Sequence, residues 1–388
     1  MNESESNNLS TIIISLIIVI GVFGNILNMF VFSRKSMRKN STFRYLFYLS
    51  AIDLLVLLIG TSDALLTFGY FIMIRLYSDF LCKTHTFITY FLTHMSSIVL
   101  MVVSIDRAMI VCNKTLDSLW LKSRVHRTTM ISRKIQNKLF KSNYIEKVIL
   151  ILIVVLALFN IHYLIFLRLT ESDLEIDVRL NSSTSSSSSS NNNQSMTYYR
   201  NVSNFLKGDD ILIKHLKIHQ TTKTAIKSEH NMSPKVSYVC FPSQNTIYNF
   251  FLLHIWIWID MCVYSMIPFI VMSICSVVIV SEIRSKSRSF LSQKTNKTIS
   301  DKAKKRNKQL LIMLIVTNIH FVLCTLPLGI EMIYYKFKTN NYETHFLQSF
   351  FHTLAYTNNS INFVFYIIFS TKYRKTLKNF LVPSNDSN

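Results

Sequence analysis

The sequence predicts an all-α membrane protein, a seven-transmembrane helix bundle with its N-terminus outside. Three observations predict it. Apolar residues gather in seven blocks, near 10–33, 43–72, 82–112, 145–167, 247–281, 310–335 and 344–370, each long enough to cross a hydrocarbon core of about 30 Å. The net charge of +21 falls on alternate connections, and basic flanks stay cytoplasmic. After the last block, Phe369, Tyr373, Leu377, Phe380 and Leu381 recur about a turn apart among lysines and arginines, the pattern of an interfacial amphipathic helix.

The charge map sets the orientation. Arg34, Lys35, Arg38, Lys39 and Arg44 follow the first block with no acid among them. Segment 107–147 carries ten Lys/Arg against Asp117 and Glu146, and segment 282–309 carries ten against Glu282 and Asp301. The tail adds Lys372, Arg374, Lys375 and Lys378, whereas the N-terminus has neither Lys nor Arg and 168–246 nearly balances its charges. The basic surplus therefore belongs to membrane topology and not to nucleic acid. The expected division is an extracellular 1–9, a bundle over 10–370, and an amphipathic helix with cytoplasmic tail over 371–388. No basic leader precedes the first block, where Glu3 and Glu5 stand, so that block is expected to remain as a span. The predicted location is the plasma membrane, multi-pass.

Each element carries its own signal. The first block holds Gly24-Asn25 in an aliphatic run, and a lone Asn in a span faces the bundle because lipid offers it no partner. The second holds Asp53, a carboxylate too deep to be cheap and so a functional candidate, with Asp63 nearly three turns further out. In the third, about 37 Å separates Cys82 from Arg107 if the segment is one helix, which puts the thiol outside one face and the Asp106-Arg107 pair at the other. Such a pair at a wet helix end can act as a releasable lock. The fourth block is aliphatic and ends in Asn160-Ile-His162-Tyr163.

The outer connection 168–246 contains a Ser/Asn run from Ser182 to Asn193 that cannot bury a core and is expected to be disordered. Acceptor sequons occur at Asn181, Asn193, Asn201 and Asn231, and at Asn2 and Asn8 near the N-terminus. Lys235 to Phe241 alternates like a short strand. Six cysteines do not make a disulfide scaffold; Cys82 and Cys240 are the two in outer connections, and theirs is the bridge the topology favours. The fifth block carries Asp260 and Pro268. The sixth carries Phe321-Val-Leu-Cys324-Thr-Leu-Pro327, whose proline should kink it, with Glu331 one turn outward. The seventh carries the polar run Asn358-Asn359-Ser360-Ile361-Asn362 before Tyr366.

In that order (Gly24-Asn25, Leu49 to Asp53, Cys82, Ser96, Asp106-Arg107, Cys240, Pro268, Phe321 to Pro327, Asn362 to Tyr366) the chain resembles the rhodopsin-like G-protein-coupled receptors over nearly its whole length. Its seventh block looks most like invertebrate neuropeptide receptors of the FMRFamide type. The resemblance implies that Asn25, Asp53, Ser96, Asn358 and Asn362 form a polar cluster for an allosteric sodium ion, no other cofactor being expected. It implies that Arg107, released from Asp106, meets a heterotrimeric G protein, and that Pro327 and Tyr366 take part in the activating motion. Departures are visible: Ala108 where a tyrosine is usual, Thr325 for a tryptophan, Phe363 for a proline, and Ser276 for a tyrosine.

Within this reading the ligand is an extracellular peptide with a positive charge, met by Asp63, Asp260 or Glu331, with Thr89 on the outer third helix where amine receptors carry an aspartate. Tyr70, Trp256, Trp258 and Tyr334 are the aromatics available there. A small-molecule chemosensory receptor and, more remotely, a transporter are the alternatives; neither internal repeats nor broken midplane helices support the latter. An enzyme is not expected, because His94, His254 and His320 lie on three helices without paired ligand spacing.

Overall fold

The computed structural model describes residues 3–70, 72–120, 142–172, 237–242, 246–290, 309, 312–313, 315–331 and 344–381. It is a bundle of membrane-length helices capped on the outside by a small two-stranded antiparallel sheet. Five helical stretches are long and apolar enough to cross a membrane: Asn8–Phe32, Ser41–Gly69, Asp79–Cys112, Tyr144–Phe166 and Ile247–Glu282. A sixth apolar helix is described over Ile315–Glu331. The seventh runs over Thr344–Ser360 and Asn362–Phe369. These are the seven spans, in chain order. Large apolar side chains such as Phe23, Leu150, Val277 and Leu323 are exposed along them, as lipid-facing residues should be.

The long third helix, Asp79–Trp120, is the axis, packing against the second, fourth and fifth spans. Met95, Val99, Leu100 and Val103 on it join Phe43, Leu49, Met272 and Phe321 in one buried core. The first helix begins at Glu3, seven residues before the apolar block expected near 10–33, because the polar start continues the same turns. Its glycines allow the seventh span to come close. A Cβ at Gly24 would lie 2.1 Å from the Phe363 ring, and one at Gly21 would lie 2.9 Å from the Ser360 backbone. Phe363, the residue standing where a proline is usual, thus fills the notch that Gly24 leaves.

Beyond the fourth span the chain does not stay helical to Leu167. It turns into a strand, β1 (Leu167–Ser172), antiparallel to β2 (Ser237–Pro242), with Leu169 opposite Cys240. The expected strand near Cys240 is present; its partner was hidden at the edge of an apolar block. Cys82 and Cys240 form a disulfide, Cα–Cα 5.6 Å, and Asp79 Oδ1 accepts the Leu169 N–H at 2.9 Å. Both strands are therefore fastened to the outer start of the third helix. The predicted disordered tract and the sequons at Asn2, Asn181, Asn193, Asn201 and Asn231 lie outside the described residues; Asn8 is exposed on the first helix.

At the cytoplasmic end the chain bends at Ser370 and continues as a tail helix, Thr371–Leu381. Arg374 donates to the carbonyls of Ile367 and Ile368 at 2.6 and 2.5 Å, satisfying the last turn of the seventh span. Tyr373 is fully buried and donates to Asn28 Oδ1 at 2.8 Å. Burial raises its pKa above the ordinary tyrosine value, so it remains a donor at neutral pH.

Candidate functional site

Asp53 is fully buried and has three neutral donors. Ser96 Oγ donates to Oδ1 at 2.6 Å, Asn359 Nδ2 to the same oxygen at 2.8 Å, and Asn362 Nδ2 to Oδ2 at 2.9 Å. Asn25 Nδ2 donates to the Asn359 carbonyl at 2.8 Å, bringing in the first span. Asn359, which the sequence reading passed over, holds the place expected of Asn358. The helix break between Ser360 and Asn362 puts residues 359 and 362 on Asp53 together, an i,i+3 pair on one face. Asn358 is buried with its Oδ1 unpartnered among the described residues.

One level outward, the candidate acid Asp260 meets the third span. Its Oδ1 lies 3.0 Å from His94 Nε2, a close polar contact whose alignment falls short of a hydrogen bond. On the other edge of the ring, His94 Nδ1 lies 3.2 Å from Asn160 Nδ2. The sequence treated His94 and Asp260 as separate; no spacing along one chain could pair residues from different helices. Trp256, expected at the mouth, is also committed: it is buried and donates from Nε1 to the Tyr163 hydroxyl at 2.6 Å.

Glu331 differs from both acids. It is 6% exposed, and neither carboxylate oxygen has a hydrogen-bond partner among the described residues. Asp63 is intermediate: its Oδ1 lies 4.0 Å from His85 Nε2, too far for a hydrogen bond, and both atoms are buried without one. The Thr89 hydroxyl is likewise buried and unsatisfied. Trp258 and Tyr70 are exposed, and Tyr334 lies outside the described residues.

At the cytoplasmic end, Asp106 Oδ2 accepts from Ser41 Oγ at 2.9 Å and Thr42 Oγ1 at 2.6 Å. The sequence paired Asp106 with Arg107, and the structure adds hydroxyl partners from another helix. The hydroxyls come from the start of the second span. The Arg107 guanidinium carbon stands 6.0 Å from the centre of the Phe43 ring. Tyr366 is buried, edge-on to Phe32 at 5.4 Å. Pro327 lies within the sixth helix, two residues past Thr325, whose hydroxyl donates to the Phe321 carbonyl at 2.9 Å and lies 3.0 Å from the Ser265 hydroxyl on the fifth span. Ser276 accepts from Asn318 Nδ2 at 2.8 Å. Both departures from the usual aromatic residues thus serve as polar ties between the fifth and sixth spans.

Residues 217–366 match the family model described as 7 transmembrane receptor (rhodopsin family). That segment begins in the long outer connection and ends at Tyr366. No curated protein matches the chain.

Proposed function

We propose that this chain is a rhodopsin-family G-protein-coupled receptor whose outer mouth takes an extracellular peptide bearing a positive charge. The observation that carries the reading is Glu331, a buried carboxylate with no partner among the described residues. Burying an ionised carboxylate without a counter-charge is costly, and an arriving guanidinium or ammonium group removes that cost. Asp260 is a weaker candidate, because His94 already faces it.

An amidated peptide ending in Arg-Phe fits this chemistry, and an extended peptide could add to an exposed edge of the two-stranded sheet. Ligand contact on the sixth span would be transmitted through the Thr325–Ser265 and Asn318–Ser276 ties to the fifth. The inner face would then open around Arg107 to a heterotrimeric G protein.

The test is a peptide-library calcium and cAMP screen in cells expressing the chain, followed by titration of Glu331→Gln. A charge-assisted hydrogen bond is worth about 1.5–3 kcal/mol, so the variant should lose roughly 10- to 150-fold in potency for a cationic peptide. Its loss on changing the peptide's Arg to citrulline should be smaller than the wild type's. An equal loss in both proteins rejects the pairing. Arg107→Ala should abolish signalling at unchanged surface expression, and normal signalling would reject its role.

The residues around Asp53 also fit a sodium ion. Asn362 Oδ1 is a buried oxygen without a partner among the described residues, on the same amide that donates to the carboxylate. Asp53, Ser96 and Asn362 would hold the ion, and it would supply positive charge that favours the inactive packing. Asp53→Asn should remove the effect of sodium on agonist affinity; a retained sodium response would leave only the hydrogen-bonded cluster.

A further inference from the structure

Asp63 of the second span and His85 of the third face each other at the outer end of the bundle, Oδ1 to Nε2, at 4.0 Å. Both atoms are buried, and neither has a hydrogen-bond partner among the described residues. The side chains of His85 and Asp63 keep 11% and 15% exposure, so neither is sealed from the mouth. Two wide π-helical turns, Leu57–Thr61 and Leu65–Gly69, flank the acid on the second span, a distortion frequent at functional sites. Thr89 stands one turn along the third helix from His85, on the same face. Its hydroxyl is also buried without a partner among the described residues.

We propose that Asp63 and His85 form a site for extracellular zinc, which staples the outer ends of the second and third spans. A carboxylate oxygen and an imidazole nitrogen both bind zinc at about 2.0–2.2 Å. Two such ligands on one tetrahedral ion stand roughly 3.4 Å apart, so the pair must close by only about 0.6 Å. A direct hydrogen bond would need the atoms to close by about 1 Å. The nitrogen ligand favours zinc over magnesium and calcium, which take oxygen. No third His, Cys, Asp or Glu among the described residues completes a cage, so water and the Thr89 hydroxyl would fill the other positions. Arg75, in the short turn Ile74–Leu76 against the third helix, opposes the ion, since its charge reaches His85. The affinity is therefore modest. The proposal does not rest on the peptide reading, which Glu331 carries.

The experiment uses the full chain in detergent without peptide, titrated with zinc chloride, and reads the zinc concentration that gives half the thermal stabilisation. Asp63→Asn and His85→Gln should each raise that concentration at least tenfold, about the least that losing a metal-site residue costs. Asp63→His exchanges one zinc ligand for another and should stay within about threefold of the wild type. His254→Gln removes an imidazole exposed on the fifth span and should change nothing. A wild-type response in Asp63→Asn would overturn the site. So would an equal loss in His254→Gln, which would assign the zinc to surface imidazoles. If Asp63→Asn does not fold, loss in His85→Gln with retention in Asp63→His supports the pairing, and loss in both overturns it. Magnesium or calcium that stabilises the wild type as well as zinc does would overturn zinc as the occupant.

Discussion

Asp53 and Glu331 are both carboxylates buried in the same bundle, at 0% and 6% exposure, and they stand in opposite conditions. Asp53 is met by hydroxyl and amide donors from the third and seventh spans. Glu331 is met by none among the described residues. The difference teaches how to separate an acid that holds a bundle together from one that waits for something to arrive. Removing the first strands its donors, whereas removing the second relieves a burial that nothing in the described protein offsets. Asp260, facing a single imidazole, lies between them.

The largest expected effect tests the Asp53 side. Asp53→Leu takes the acceptor from three donors, and interhelical hydrogen bonds in membranes are worth about 0.6–1.7 kcal/mol each. Thermal unfolding of the ligand-free protein in detergent should show a loss of roughly 2–5 kcal/mol. An unchanged melting temperature would mean that the cluster contributes little to holding the bundle. Glu331→Leu should move the other way, raising the ligand-free melting temperature while lowering cationic-peptide potency. Destabilisation there would reveal a partner for Glu331 and remove the contrast.

The intermediate acid sharpens the comparison. In a double-mutant cycle over His94→Ala and Asp260→Asn, a coupling of about 1 kcal/mol is expected, within the range for interhelical pairs. Additive single effects would mean that the 3.0 Å contact carries no energy. The smallest effect separates two adjacent residues. Asn359→Ala should cost about 0.6–1.7 kcal/mol and Asn358→Ala less, because only the former donates to Asp53. The reverse order would return Asn358 to the cluster.

Much of the candidate site was legible in the chain because its elements announce themselves singly. A carboxylate inside an apolar block is visible without a partner, and so is a proline in a span or an arginine at a wet helix end. What was not legible was pairing. The choice between Asn358 and Asn359 turns on the helix break at Ile361, since i,i+3 and i,i+4 both lie on one face. The hydroxyls that bond Asp106 come from another span, where sequence proximity pointed only to Arg107.

By itself the sequence determined the number and orientation of the spans, the outer placement of Cys82 and Cys240, the tail helix, and the positions of the buried acids. Apolar length and charge asymmetry act locally, and the bilayer reads them block by block. Only the tertiary structure decided that His94 faces Asp260, that Thr325 and Ser276 bind the fifth span to the sixth, and that Gly24 receives Phe363. It also decided that Glu331 has no partner among the described residues. These are relations between helices, set by rotation and depth that each span acquires only by packing against its neighbours.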